Sequence, residues 1–394
     1  MWPKAKLKFV ARFGYGDAVP SDEVQDGPFQ VFGSNGPFAS FSRANTGAPA
    51  IVVGRKGSYG KVNWTPEPCY ASDTTFFVDE STSQNHLRWI FWLLQTLRLD
   101  EGTDEAAVPG LNRESAYSRD VLVPPLPQQR AIADYLDRET ARLDALVAAK
   151  ERVLGLLAEK RRALITRAVT RGLDPRVPLR DSGIPWLGEI PAHWATRRAA
   201  WLFRERDERG EADLPLLEVS ISAGVVLREF SHERIESTAA DFKTYKVARR
   251  GDVAFNKMRM WQGAVGVAPL DGLVSPDYVV AEPTGVLSPE YARLLFRTEM
   301  FSAECARRSH GIVWDRLRLY WEGFREIELP LPTEEVQREI VAHIARETAK
   351  LDAVRQATDR SVALLRERRG TLIAAAVTGK IDTGAAPDAG GGQA

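Results

Sequence analysis

Arg138-Glu139-Thr140-Ala141-Arg142-Leu143-Asp144-Ala145 returns later in the chain as Arg346-Glu347-Thr348-Ala349-Lys350-Leu351-Asp352-Ala353. The match covers residues 138–174 and 346–382 without a gap. It resumes at Leu156-Leu157 with Leu364-Leu365 and closes at Ala168-Val169-Thr170 with Ala376-Val377-Thr378. Each copy carries a seven-residue spine: Leu136, Leu143, Lys150, Leu157 and Leu164 in the first, Ile344, Leu351, Thr358, Leu365 and Leu372 in the second. Both spines turn polar at the same heptad. Leu146, Leu154 and Ile165 widen the first stripe, and Val354, Val362 and Ile373 the second. A sustained seven-residue repeat favours a left-handed coiled coil, and a polar break sets register. Each helix is expected to run about 45 residues, roughly 65 Å at 1.5 Å per residue. Two readings follow: each helix packs on its own neighbourhood, or the two pack on each other as a spacer. Their length outreaches a small domain and argues for the spacer. Antiparallel pairing would place what precedes each helix at opposite ends.

Working outward, each helix follows a stretch of mixed character, through Pro125-Leu126-Pro127 in one case and Pro330-Leu331-Pro332 in the other. The expected division is a first module over 1–124 and a long helix over 125–173. A linker follows over 174–185, then a second module over 186–329. A second long helix spans 330–382, and a Gly- and Ala-rich, disordered tail spans 383–394. The fold class is α+β, with a pseudo-two-fold internal repeat of module and helix that suits a bipartite partner.

The modules share a weaker scheme. Pro49-Ala50-Ile51-Val52-Val53 reads as a strand running into the loop Gly54 to Lys61, and Tyr70 to Val78 reads as a Ser/Asp turn and a strand. In the second module Asp252-Val253-Ala254-Phe255 runs into Asn256 to Val265, and Leu273 to Val280 follows. A helix comes next in both. Leu87, Ile90, Phe91, Leu94 and Leu97 keep helical spacing, and Ser288-Pro289-Glu290 is a helix start.

Composition sets bounds. The 394 residues suffice for two or more cores, 44% hydrophobic content is ordinary, and 53 basic residues balance 53 acidic ones. Zero net charge argues against indiscriminate binding to nucleic acid but permits a local basic site. No apolar run approaches the ~20 residues of a membrane span, and Met1-Trp2-Pro3-Lys4 lacks the apolar stretch of a signal peptide. Cys69 and Cys305 lie in different modules, which suits a cytoplasmic protein with reduced thiols.

The basic loops carry the chemistry. Arg55, Lys56 and Lys61 share a turn with Gly54, Gly57 and Gly60, where glycine lets backbone approach a ligand and cations suit phosphates. Lys257 and Arg259 sit beside Trp261 and Gln262; Arg and Gln read base edges, and Lys holds the DNA backbone. Around them, Asn35, Ser58, Tyr59, Asp73, Thr74 and Arg113 complete a candidate DNA surface in the first module. Asn256, Ser275, Asp277, Tyr278, Arg316 and Arg318 do so in the second. A solvated hairpin with ordinary surface charge is the competing reading, weakened because the loop recurs. Tyr59 and Trp261 read equally well as core or as base contacts.

Catalytic signatures are missing. A phosphate-binding loop needs G-x-x-x-x-G-K-[ST]; here five residues separate Gly54 from Gly60, and Val62 replaces the Ser/Thr. His86, His193, His232, His310 and His343 are scattered and show no zinc spacing with the cysteines. Neither an adenine-methyltransferase Asn/Asp-Pro-Pro-aromatic stretch nor a nuclease arrangement stands out.

At these residues the chain resembles the specificity subunit of type I restriction–modification enzymes, up to about Asp382. The resemblance rests on Val123-Pro124-Pro125-Leu126-Pro127-Gln128-Gln129-Arg130, on Pro330-Leu331-Pro332 with Gln337-Arg338, and on Ile184-Pro185-Trp186-Leu187-Gly188-Glu189-Ile190-Pro191-Ala192-His193-Trp194. The loops at Gly54 to Ser58 and Phe255 to Arg259 add to it. It implies two target recognition domains, each reading half of a split sequence in double-stranded DNA, and an antiparallel coiled coil fixing the gap. It also implies no catalytic residue, cofactor or metal in this chain. Two modification subunits would bring S-adenosylmethionine and the methyl transfer; restriction subunits would bring ATP, Mg and cleavage. A methylation-only system, a coiled-coil scaffold with protein-binding modules, and a self-sufficient enzyme with a nonstandard site are the alternatives. The modular reading predicts that exchanging residues 186–329 for a relative's domain changes one half of the methylated motif. Methylome sequencing reads this, and a change in both halves would sink it.

Overall fold

The computed structural model describes residues 2–19, 27–101, 110–211, 213–228, 242–311 and 317–384. Arg316, His232 and residues 385–394 of the expected tail lie outside the described residues. The chain divides into two compact units, Met1–Arg152 with Thr358–Ala394, and Val153–Ala357. The long helices are continuous elements, Leu126–Arg171 and Glu334–Val377. Each contributes to both units.

In the first unit a four-stranded antiparallel sheet has the order Gly14–Tyr15, Thr75–Val78, Ala50–Gly54, Val62–Thr65. The central strand Ala50–Gly54 is buried along its whole length, as its unbroken Ile51-Val52-Val53 run requires. Helix Leu87–Thr96 packs on this sheet through Trp89, Ile90, Leu93 and Leu94. The same core takes in Ile132, Ala133 and Leu136 from the first long helix and Ile373, Ala376 and Val377 from the second. Fully burying such a side chain contributes ~1.5–3 kcal/mol, so these helix ends are part of the module.

The second unit repeats the plan. Its sheet runs Phe203–Glu205, Tyr278–Pro283, Val253–Asn256, Val265–Val267, with the same strand order and pairing. Helix Pro289–Phe296 starts at Ser288, whose Oγ accepts from Tyr291 N, with Pro289 in the first turn. Its core gathers Phe203, Phe255, Phe296, Phe301 and Phe324 with Ala168 and Val169 of one long helix and Ile340 and Ile344 of the other. Tyr291, fully buried, donates from its hydroxyl to Val169 O at 2.7 Å.

Within each unit the two helix segments run antiparallel. In the first, Asp144 pairs with Arg369 at 2.9 Å and Glu151 with Arg366 at 2.7 Å, so one number rises as the other falls. In the second, Arg161 donates to Asp352 at 2.6 Å. That hydrogen bond holds the Asp352 carboxyl below its usual range, so its contribution is lost as pH falls through the acid range. Leu136, Leu143 and Ile344 are buried; Leu157, Leu164, Leu351, Leu365 and Leu372 are half-buried. Leu146 and Val354, expected to widen the stripes, are 44% and 49% exposed instead. Two helices share a narrow seam, and residues beside it face out.

Both expected readings of the helices therefore hold at once. Their ends pack into the modules, and their segments pack on each other. The turn into each helix also corrects the alignment of the two proline stretches. Pro330 and Leu331 lie in strand Glu328–Leu331, whereas Leu126 and Pro127 already lie in the first long helix. The true counterpart of Glu328–Leu331 is strand Asp120–Leu122; each pairs antiparallel with an early strand of its module, Ala195–Arg198 or Lys4–Lys6. Proline sits easily in a first helical turn, where its missing N–H has no partner to lose. The stretch expected as a linker, 174–185, contains strand Leu179–Asp181, paired with Glu189–Pro191.

One device locks each junction. Gln129 and Gln337 are each 1% exposed. Gln129 Nε2 donates to Pro124 O at 2.9 Å and to Asn85 Oδ1 at 2.8 Å, while its Oε1 accepts from His86 N at 2.8 Å. Gln337 Nε2 donates to Pro332 O at 3.0 Å and to Val286 O at 3.2 Å, and its Oε1 accepts from Ser288 N at 2.7 Å. Each glutamine ties the start of a long helix to the start of its module's helix. Truncation strands buried backbone groups, so Gln129→Ala and Gln337→Ala should each cost ~1–3 kcal/mol. Unfolding in urea measures this; midpoints unchanged in both variants would contradict the role.

Candidate nucleic-acid interface

In the first unit the loop after the central strand folds back under its own backbone. Gly54 N donates to Lys61 O at 2.8 Å, and Gly60 N to Gly54 O at 2.9 Å. A Cβ on Gly54 would stand 2.4 Å from Ser58 O, and one on Gly60 2.4 Å from Asp100 N. These two glycines are thus required by the protein's own chain rather than by a ligand's approach. Gly57, with φ +71° and open space around it, turns the loop outward.

Lys61 Nζ donates to Asn35 O at 2.7 Å and Oδ1 at 2.9 Å, so Asn35 and Lys61 form a pair. Arg55 N and Lys56 N both donate to Thr74 O, at 2.8 and 3.2 Å, and Arg55 Nη1 donates to Asp73 O at 3.3 Å. The Thr74 hydroxyl bonds Ser72 Oγ at 2.8 Å. Lys56 and Ser58 are exposed, and Tyr59 is half-buried against the core, the packing reading of that ring. Arg113 begins the short helix Arg113–Tyr117, capped by Asn112. Leu111 N donates to Arg55 O at 2.8 Å, which brings this helix to the loop.

Tyr15 is the residue the sequence did not offer. It lies on the edge strand Gly14–Tyr15 and is 48% exposed. The Arg113 Cζ is 4.7 Å from its ring centroid, and the Arg55 Cζ 5.1 Å. Phe76 meets it edge-on at 5.1 Å. The missed signal is an aromatic between glycines in Gly14-Tyr15-Gly16, about forty residues from the loop.

The second unit is built alike but furnished differently. Leu319 N donates to Lys257 O at 2.9 Å, matching the Leu111–Arg55 bond, and Lys257 N donates to Asp277 O at 3.3 Å. By that bond Lys257 corresponds to Arg55, not Lys56. Lys257 Nζ donates to Pro276 O at 3.2 Å and lies 5.8 Å from the ring of Tyr320. Asn256 is buried; its Oδ1 accepts from Met258 N at 2.9 Å and shapes the turn. Tyr278 packs against the core, and burial pushes its hydroxyl above the usual range. Trp261 packs on the core and donates from Nε1 to Met258 O at 2.9 Å. Arg259 and Gln262 are exposed, the first just before and the second at the end of the one-turn helix Met260–Gln262. Ser275 Oγ accepts from Asp277 N at 3.3 Å, and Arg318 Nη2 sits 3.8 Å from Met258 Sδ.

Cys69 and Cys305 are buried free thiols, and burial pushes both up. Among the described residues no group of three or more His, Cys, Asp or Glu is placed to hold a metal. No helix there is long and apolar enough to cross a membrane.

No protein-family model matches the chain. By sequence it is 22% identical over 363 residues to the type I restriction enzyme EcoBI specificity subunit of Escherichia coli, covering 84% of this chain and 73% of that protein. By fold it is similar to a chain from a structure of complex assembly and conformational transition in the type I R-M system. There the TM-score is 0.62 at 15% identity, covering 96% of this chain and 98% of that one. It is also similar to the HsdS subunit of Thermoanaerobacter tengcongensis, with a TM-score of 0.51 at 15% identity over 96% and 97% of the two chains. The resemblance read from the sequence and the α+β, internally repeated fold are thus borne out.

The geometry separates exposed Lys56 from Lys61 and Lys257, whose ammonium groups are tied to Asn35 and to Pro276 O. Lys56→Ala should weaken binding to all duplexes alike and lower the salt slope by about one unit. A loss confined to one base position, with the slope unchanged, would contradict this.

Proposed function

We propose that this chain is the DNA-recognising specificity subunit of a type I restriction–modification system, without catalytic residues of its own. Each unit reads one half of a bipartite target in double-stranded DNA, and the long helices set the gap. The observation that carries this reading is one scaffold built twice. Both units present an arginine or lysine after the fully buried central strand, tied by the same backbone bond to the segment before a short helix. The exposed residues around it differ: Lys56, Ser58 and Tyr15 in one, Arg259, Gln262 and Tyr320 in the other. A constant frame with variable contacts is what reading two different half-sites requires.

Partners follow from the same duplication. Leu146 and Val354 are equivalent positions of the repeated helix, as are Leu156 and Leu364; the latter pair is 62% and 64% exposed. Exposed leucines kept at matching positions suit a partner that docks twice. We assign that role to two modification subunits, which would bind S-adenosylmethionine and transfer the methyl group, with restriction subunits supplying ATP- and Mg-dependent cleavage. Methylome sequencing of a host expressing the full system tests the reading. The expected result is one split motif, two half-sites at a fixed gap, that vanishes when this chain is deleted. A contiguous motif, or one that survives deletion, would overturn it.

A further inference from the structure

We infer that Tyr15, named above only as one exposed residue of this edge, is a base-contacting, specificity-determining residue of the first unit, with Arg55 and Arg113 as its phosphate-binding flanks. The inference rests on the function proposed above and names who does the reading in one half. Three observations converge on it. First, a large aromatic ring is left 48% exposed on a strand edge, yet held in place by Phe76 beneath it. Held rings make contacts at low entropic cost. Second, two guanidinium groups share that ring, at 4.7 and 5.1 Å. Arg55 uses its Nη1 on the main-chain carbonyl of Asp73 rather than on a carboxylate, so its charge is not neutralised there. Third, the Arg113 side chain is one-third exposed beside that ring, and Glu114 Oε1, 3.6 Å from its Nε, makes an ion pair without a hydrogen bond. A solvent-exposed pair of that kind contributes little, which leaves the guanidinium able to turn to a phosphate. Two convergent guanidiniums beside a fixed exposed ring fit a phosphate pair with a base edge between them.

The second unit lacks this arrangement. The strand register brings Arg206 and Asp207 to the place of Gly14 and Tyr15, since Arg206 N donates to Val280 O while Gly14 pairs with Phe77. Asp207 there is taken up by Lys246 at 2.9 Å and Arg209 at 3.0 Å. The difference falls on an edge position of an otherwise shared frame, where a contact can change without disturbing the core.

The test uses the full chain assembled with its methyltransferase partner and a pool of duplexes of random sequence. Selection and sequencing give the preferred motif, and salt titration of the selected duplex gives the slope. Tyr15→Ala should relax base preference in one half-site only and lose roughly tenfold in affinity for the selected duplex, with the salt slope retained. Arg113→Ala should keep the motif and lower the slope by about one unit. Tyr15→Leu, which keeps an apolar cover over Phe76, repeats the measurement if the alanine variant unfolds. A parent complex without salt-dependent binding overturns the function reading and this one together. A parent that binds, with Tyr15 variants matching it in motif and affinity, overturns this inference alone.

Discussion

The structure depends on the burial of the long-helix ends in the cores of the modules. Ile132, Ala133 and Leu136 are as much part of the first core as Trp89 and Ile90, and Ile340 and Ile344 are part of the second. A helix whose end is packed this way cannot turn or slide without opening the core above it. Gln129 and Gln337 add direction to that burial: each satisfies backbone groups on two elements at once, so the angle between helix and module is fixed by hydrogen bonds as well as by packing. Each module therefore has a defined orientation on its own helix segments.

From that constraint the layout of each interface follows. The central strand is buried throughout and paired on both sides, so its loop emerges at the end of the sheet. The backbone bonds Leu111–Arg55 and Leu319–Lys257 bring a second segment to the same end. Side chains there are free to vary because the bonds that place them are made by main chain.

Much of this was legible in the sequence. The doubled helix announced both its length and its repetition through the Leu136 and Ile344 spines, because a heptad pattern needs no tertiary information. The strand–basic loop–strand scheme was legible for the same reason. What the sequence hid was set by contacts between distant residues. The proline stretches misaligned the two junctions, since Pro-Leu-Pro serves a strand end in one place and a first helical turn in the other. Buried Gln129 and Gln337 look like surface polars until their partners are placed. Tyr15 gains its meaning only from Arg55 and Arg113, neither near it in the chain. Asn256 and Tyr278, read as contacts, turn out to be occupied in shaping the turn and filling the core.

The central claim is that paired helices of fixed length determine where two half-sites lie. A matched seven-residue insertion, after Ala148 in one helix and opposite it between Leu364 and Leu365 in the other, keeps heptad phase. It lengthens the pair by about 10 Å at 1.5 Å per residue, close to three base-pair steps at ~3.4 Å. The methylated motif of a host carrying the insertion is the direct measurement. Both half-sites should be unchanged and the gap between them longer by about three base pairs. Methylation of the original motif, with its original gap and at full extent, would contradict it.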